Sequence, residues 1–260
     1  MSLANRTLLY CYISMSTVVF GARVSDVTLP GGTKAYLVAP DGSGKVAAAL
    51  YVHWYEPESP TSNRGQFLAE AVELADRGML SLLVETPWSA PDWFPKRDVK
   101  RDFENSQTIV ENLRRALDYL AKQPRVDPNR VAYVGHDFGA MYGALLAASD
   151  PRVKIFAFQA GTSSFSNWFL YNQQKLSPEG KQSVISRLAP LDPVMHLAKV
   201  NVPTLLQFGT KDPHVPKEKA DELVAAARGA KVLWYESGHE LNGQAVTDRK
   251  AWLAEKLKLK

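Results

Sequence analysis

One segment has both the residue types and the setting for chemistry. Val131-Ala132-Tyr133-Val134 runs apolar into Gly135-His136-Asp137-Phe138-Gly139-Ala140, and small residues follow at Gly143, Ala144 and Ala147. A buried strand that breaks sharply into a helix lifts one side chain above the sheet, and glycines leave room for close packing. This is the setting of a nucleophile elbow. Serine is the usual residue at its tip; here it is Asp137. A serine hydroxyl needs a base to become nucleophilic, whereas a carboxylate with a pKa of about 3.9 is already ionised at neutral pH. On a saturated carbon bearing a leaving group, Asp137 would form an alkyl ester. On an acyl ester it would form a mixed anhydride, which is high in energy.

The elements that must hold this residue alternate along the chain. Short apolar runs predict strands at Val18–Leu29, Lys34–Ala39, Ala47–Trp54, Leu80–Glu85, Arg130–Gly135, Val153–Gln159, Thr204–Gly209 and Lys231–Tyr235. Several are continuously apolar, as strands covered on both faces of a parallel sheet are. Helical periodicity fills the gaps at Gly65–Arg77, Ser106–Lys122, Lys217–Arg228 and Gln244–Leu257. Ile109, Leu113, Ala116, Leu117 and Leu120 form one such apolar face. Strands alternating with helices predict an α/β fold, a doubly wound and mostly parallel eight-stranded sheet in a single domain over 1–260. The rhythm breaks over 162–202, which shows no clear strand and reads as a short cap or a crossover insertion.

With this elbow and these elements the chain resembles the α/β-hydrolase superfamily. Leu117-Asp118-Tyr119-Leu120 and Val126-Asp127-Pro128-Asn129-Arg130-Val131 look most like the dienelactone hydrolase and prolyl-oligopeptidase-like branch. Gly135-His136-Asp137 is similar instead to haloalkane dehalogenases and epoxide hydrolases, where Asp is the nucleophile. The order this fold implies, nucleophile then acid then His, is met by Asp212, after strand Thr204–Gly209, and His239, after the last strand. Both lie at carboxyl ends of strands, where open α/β sheets bind ligands. His239, oriented by Asp212, would activate water against the Asp137 ester. The oxyanion donors expected are the N–H of Phe138 and one from Trp54 or Tyr55; Trp54 stands where the family usually has Gly.

The aromatics Trp88, Trp93, Phe94, Tyr142, Phe165, Trp168, Phe169 and Tyr171 are expected to line the pocket, which would make the substrate small and apolar. Three readings compete at this level. The first is a cofactor-independent hydrolase using Asp137 on an epoxide or alkyl halide. The second is a dienelactone hydrolase-like ester or lactone hydrolase with a changed nucleophile. The third is a non-catalytic binding protein that keeps the scaffold; the presence of both Asp212 and His239 weighs against it.

Composition removes other classes. The chain has 260 residues, 45% hydrophobic and 22% charged, which excludes disordered and fibrous types. A single cysteine, Cys11, excludes an internal disulfide and a Cys-based zinc site. His53, His136, His196, His214 and His239 show no metal-ligand spacing, and His53 reads as a structural hydrogen-bonding residue. No cofactor, nucleic-acid or membrane partner is expected, and a homo-oligomer is left open. Residues 8–20 are too short to span a bilayer and read as a first strand with a tail. Met15 is an alternative start to Met1, and a cytoplasmic location is expected over secretion. The net charge is +4. Arg249, Lys250, Lys256, Lys258 and Lys260 against Asp248 and Glu255 put +3 of it in Leu241–Lys260, where cations late in a terminal helix suit its dipole.

Overall fold

A computed structural model describes residues 16–19, 21–171 and 176–260. The expectations for Cys11, for the alternative start at Met15 and for most of the 8–20 stretch lie outside the described residues. In chain order the elements are β1 (Ser16–Val19), β2 (Ala22–Thr28), β3 (Lys34–Pro40), β4 (Val46–Val52), α1 (Leu68–Ala75), β5 (Met79–Val84), α2 (Trp93–Lys96), α3 (Asp102–Ala121), β6 (Val126–His136), α4 (Phe138–Ala147) and β7 (Ile155–Gln159). Then follow α5 (Phe165–Phe169), α6 (Pro178–Leu188), α7 (Pro193–Leu197), β8 (Thr204–Gly209), α8 (Lys217–Ala226), β9 (Lys231–Tyr235) and α9 (Gly243–Leu257).

The strands form one sheet in the order β1-β2-β3-β5-β4-β6-β7-β8-β9. β1, β2, β3 and β5 pair antiparallel; from β5 through β4, β6, β7 and β8 to β9 every pairing is parallel. All seven residues of β4 and all six of β5 and β8 are buried, because helices cover both faces. One face packs on α3, α4, α7 and α8 through residues such as Leu113, Met141, Leu197 and Leu223. The other packs on α1 and α9 through Leu74, Trp252 and Leu253.

The mostly parallel doubly wound sheet is as the sequence pattern implies. There is one strand more among the described residues than the eight apolar runs suggest. The run read as Val18–Leu29 is a hairpin, since Gly21 takes φ +75° between β1 and β2. Without a Cβ, glycine enters that region at no steric cost, and the apolar run Val18-Val19-Phe20-Gly21-Ala22 continues across the turn. β8 and β9 keep the bounds the apolar runs predict.

The elbow depends on two backbone approaches. A Cβ at Gly139 would sit 2.2 Å from the Val52 carbonyl oxygen, and one at Gly135 would sit 2.4 Å from that of Gly139. The start of α4 therefore presses on the carboxyl end of β4. This contact brings the Asp137 turn beside the loop after β4, where the oxyanion donors are expected.

Candidate active site

Asp137 caps α4 with φ 54° and ψ −116°. A positive φ at a non-glycine residue costs about 1–3 kcal/mol and persists only where its surroundings hold it. Here the Asp137 N–H donates to the Gln159 carbonyl at the end of β7 (2.9 Å), and the glycine contacts allow the close turn. The side chain is fully buried. One carboxylate oxygen, Oδ2, accepts the Tyr55 N–H at 3.0 Å and lies 3.9 Å from His239 Nε2; the other, Oδ1, has no protein partner.

His239, just after β9, donates from Nδ1 to Asp212 Oδ2 at 2.8 Å. Asp212, after β8, is saturated on its other oxygen by the N–H groups of His214 (2.8 Å) and Val215 (3.0 Å). The sequence-expected trio thus converges from three strand ends into one line with His239 at its centre, hydrogen-bonded to Asp212 and 3.9 Å from Asp137.

The electrostatics follow from that line. Burial pushes the Asp137 carboxyl up, partly offset by His239. Burial alone would lower His239, but carboxylates on both sides outweigh it and push the imidazole up to about 10. Asp212 is also desolvated, yet its bond to His239 and its two amide donors hold it below the usual range. At neutral pH His239 therefore rests as an imidazolium on the Asp212 carboxylate.

The donor loop resolves the choice between Trp54 and Tyr55. The Trp54 N–H is committed to Gln66 Oε1 at 2.9 Å, so it is not the donor; the Tyr55 N–H faces Asp137. Phe138, the first residue of α4, has an N–H outside the helix's own ladder, as a second donor requires. Gln66 continues the connection. Since its oxygen accepts from Trp54, its Nε2 donates to His136 Nδ1 (2.6 Å), which leaves His136 Nε2–H to donate to the His239 carbonyl (2.9 Å). Burial keeps the His136 ring neutral, as this tautomer demands. The relay ties the donor loop to the backbone of His239. Gln66 carries no signal in the sequence, and His136 gave only its place beside Asp137.

Of the expected pocket aromatics, several surround the line. The Trp54 indole stacks on His239 (6.3 Å, 13°) and on His136 (5.0 Å). Trp168 meets His239 edge-on at 5.6 Å. Tyr55, Trp93 and Phe169 pack around Phe138 at 5.5–6.2 Å, and Phe94 stacks on Tyr55. Tyr171 is 47% exposed beside Trp168. Trp88, Tyr142 and Phe165 are corrections, because all three lie in the core without exposed surface. Trp88 donates to the His53 carbonyl and stacks on Tyr142, whose hydroxyl pairs with Ser106 (3.0 Å); Phe165 packs on Tyr142 at 4.9 Å.

Two further side chains complete the enclosure. His214 packs edge-on against His239 at 5.2 Å, with a buried and unpartnered Nδ1. Arg97 ion-pairs with Asp102 (3.3 Å) and donates to the Phe94 and Phe169 carbonyls, which ties the loop around α2 to α5. His53 is held by Trp54 O and the Thr86 and Ser89 hydroxyls, and burial lowers it to about 4. Five of the buried polar atoms without a protein partner gather here: Asp137 Oδ1, His239 Nε2, His214 Nδ1 and the indole N–H groups of Trp54 and Trp168. Each costs about 1–3 kcal/mol where it is left unmade. Among the described residues no cluster of three His, Cys, Asp or Glu suits a metal ion, and no helix is long and apolar enough to cross a membrane.

A model of the prolyl oligopeptidase family matches residues 98–258, which carry Asp137, Asp212 and His239. The chain belongs to the prolyl oligopeptidase family. Over 156 residues it is 24% identical to the acylamino-acid-releasing enzyme of Arabidopsis thaliana, covering 53% of this chain and 20% of that enzyme's length. In fold it is similar to acetyl xylan esterase 1 of Thermoanaerobacterium sp. (TM-score 0.76, 17% identity, 93% of this chain and 86% of that one). It is likewise similar to a candidate dienelactone hydrolase of Klebsiella pneumoniae (TM-score 0.65, 17% identity, 90% and 98%). This prolyl oligopeptidase family member therefore has the α/β-hydrolase fold.

Proposed function

We propose that this family member hydrolyses small, largely apolar, activated esters or lactones, with Asp137 as the covalent nucleophile. The observation that carries the reading is the line Asp137–His239–Asp212, with 3.9 Å and 2.8 Å between neighbours. Kinship supports an acyl substrate, and the aromatic surround supports a small apolar one.

The chemistry runs in two halves. An Asp137 oxygen attacks the acyl carbon, while the Phe138 and Tyr55 N–H groups take the charge that develops on the carbonyl oxygen. The C–O bond breaks, and His239 Nε2–H gives its proton to the leaving oxygen. A mixed anhydride on Asp137 results. Because an anhydride is high in energy, the leaving oxygen must be a stabilised one, as in an enol lactone. Asp137 has now lost its charge, one of the two that raise His239. Neutral His239 then takes one proton from water as the water oxygen adds to the Asp137 carbonyl carbon. The bond from that carbon to the bridging oxygen breaks, the substrate carboxylate leaves, and the other water proton passes to solvent. The Asp137 carboxylate and the His239 imidazolium are restored. A carboxylate nucleophile needs no base in the first half, which suits a His239 that begins protonated.

The Tyr55 N–H on Asp137 Oδ2 favours a second reading, displacement at the saturated carbon of an epoxide or alkyl halide. There the later charge develops on the Asp137 oxygen itself, where Tyr55 already donates. Tyr142 offers no proton to an epoxide oxygen, since its hydroxyl is held by Ser106 in the core. Single-turnover reaction in ¹⁸O water with a panel of enol esters, lactones, epoxides and alkyl halides tests both readings. The expected result is turnover of the acyl compounds, label in Asp137 by mass spectrometry, and an Asp137 adduct retained in His239→Gln. Turnover of halides or epoxides alone selects the second reading. No label, no adduct and no turnover, with tight binding of apolar ligands, sinks both.

A pH profile follows from His239. The proton it must donate is present below about pH 10 and lost above it. Thus kcat/KM for an enol ester is expected to stay level through neutrality and fall above about pH 10. A base that had to be neutral at the start would give a rising limb near the ordinary histidine pKa of about 6.5 instead.

A further inference from the structure

The basic excess of the chain is concentrated at the opposite end of the sheet from the triad. Lys45, Arg77, Arg125, Arg130, Lys258 and Lys260 line one cavity of about 300 Å³, with Asp41 the single acid in its wall. That local +5 exceeds the net +4 of the entire chain. The two helix-end lysines, which look in the sequence like dipole partners of α9, meet cations from three other segments. Lys45 precedes β4, Arg77 precedes β5, and Arg125 and Arg130 flank the start of β6. These are the amino ends of the strands, about 20 Å from the carboxyl ends that carry Asp137, at about 3.3 Å per residue along a strand.

Four of these cations are held in place, and one of those four pairs with a carboxylate side chain among the described residues. Arg125 donates to the carbonyls of Gly44 (3.1 Å), Pro40 (2.5 Å) and Asp41 (3.0 Å), and Lys45 to those of Pro124 (2.9 Å) and Val126 (3.3 Å). Arg77 donates to the Lys260 carbonyl at 2.9 Å. Arg130 alone of the six has an ion pair with a carboxylate side chain among the described residues, Asp127 at 2.9 Å. Peptide carbonyls fix Arg125 and Lys45 without cancelling their charge. Like charges fixed together destabilise a compact state unless an anion joins them. A concave wall of three guanidinium forks and three ammonium groups matches a multiply charged oxyanion, since both recognise carboxylate and phosphate oxygens.

We propose that this cavity is a binding site for a small polyvalent oxyanion, an oligophosphate or a polycarboxylate, separate from the candidate active site. Calorimetric titration and thermal unfolding with inorganic pyrophosphate and with citrate, at an ionic strength of about 0.15 M where long-range charge effects are screened, test it. Saturable binding of one anion per chain is expected, with a rise in Tm by mass action. Tighter binding of pyrophosphate identifies the oligophosphate source, and tighter binding of citrate the polycarboxylate one. Lys258→Gln with Lys260→Gln is expected to weaken binding about tenfold or more, whereas Lys217→Gln with Lys219→Gln, remote from the cavity, leaves it unchanged. No saturable binding of either anion, or equal weakening by both pairs of substitutions, overturns the proposal.

Discussion

Asp137→Asn is expected to lower kcat/KM by at least about a thousandfold while leaving the chain folded. Asparagine tolerates a positive φ better than most residues, so the 54° turn is retained, and its carbonyl oxygen can still accept the Tyr55 N–H. A neutral amide is no nucleophile, so the first half of the reaction stops. The second half has a distinctive consequence. If His239 directs water at the carbonyl carbon of residue 137, it can do so against the amide, expelling ammonia and restoring the acid. Activity is then expected to return slowly on incubation, together with the mass of the wild-type chain. Asp137→Ala, which has nothing to hydrolyse, is expected to stay inactive. Wild-type activity in Asp137→Ala would remove residue 137 from the chemistry altogether.

The same substitution moves the alkaline limit of stability. The folded pKa of His239, about 10, is above its unfolded value of about 6.5. Its ion pairing is therefore fully present below pH 6.5 and lost as pH rises through about 10. With one of the two carboxylates neutralised, that loss is expected to be smaller and to be complete at lower pH in scans of Tm against pH.

How much of this was legible in the sequence depends on whether a feature is local. The Asp137 elbow, Asp212 and His239 sit at the carboxyl ends of strands whose apolar runs mark them, so order and strand ends alone placed all three in one line. β8 and β9 were legible because both are short apolar runs bounded by turn residues. The hairpin at Gly21 was not, since Val18-Val19-Phe20-Gly21-Ala22 reads as one apolar run. Nor was the depth of the aromatics. Trp88 and Trp93 lie five residues apart after β5, yet the first is fully buried and the second only partly. Which ring reaches the site is decided by contacts with Tyr142 and Phe138, residues far along the chain. The Trp54–Gln66–His136 relay is of the same kind. Gln66 does its work through partners 12 and 70 residues away, and no local pattern announces that.

Arg249→Met is expected to lose about 3–5 kcal/mol of stability, a fall in Tm on the order of 10 °C, because it leaves Glu70 buried and charged. The guanidinium, 2% exposed, binds both Glu70 oxygens (Nη2 at 2.5 Å) and reaches Gln159 Oε1 (2.7 Å) and Gln207 Oε1 (3.2 Å). It thus locks α9 to α1 and to the ends of β7 and β8. Glu70 would retain only the Tyr51 hydroxyl, at 3.2 Å. Breaking one half of a buried pair is costly, whereas replacing both halves with apolar groups of similar size is often neutral. Glu70→Leu with Arg249→Met is therefore expected to regain most of the lost stability in denaturant unfolding, whereas a double-variant loss equal to the sum of those in Arg249→Met and Glu70→Leu alone would show that the pair is not coupled. Gln159 connects this network to the chemistry, since its backbone carbonyl holds the Asp137 N–H while its side chain holds Arg249. The double variant, with Gln159 released from the guanidinium, is expected to be stable yet several-fold slower than the wild type.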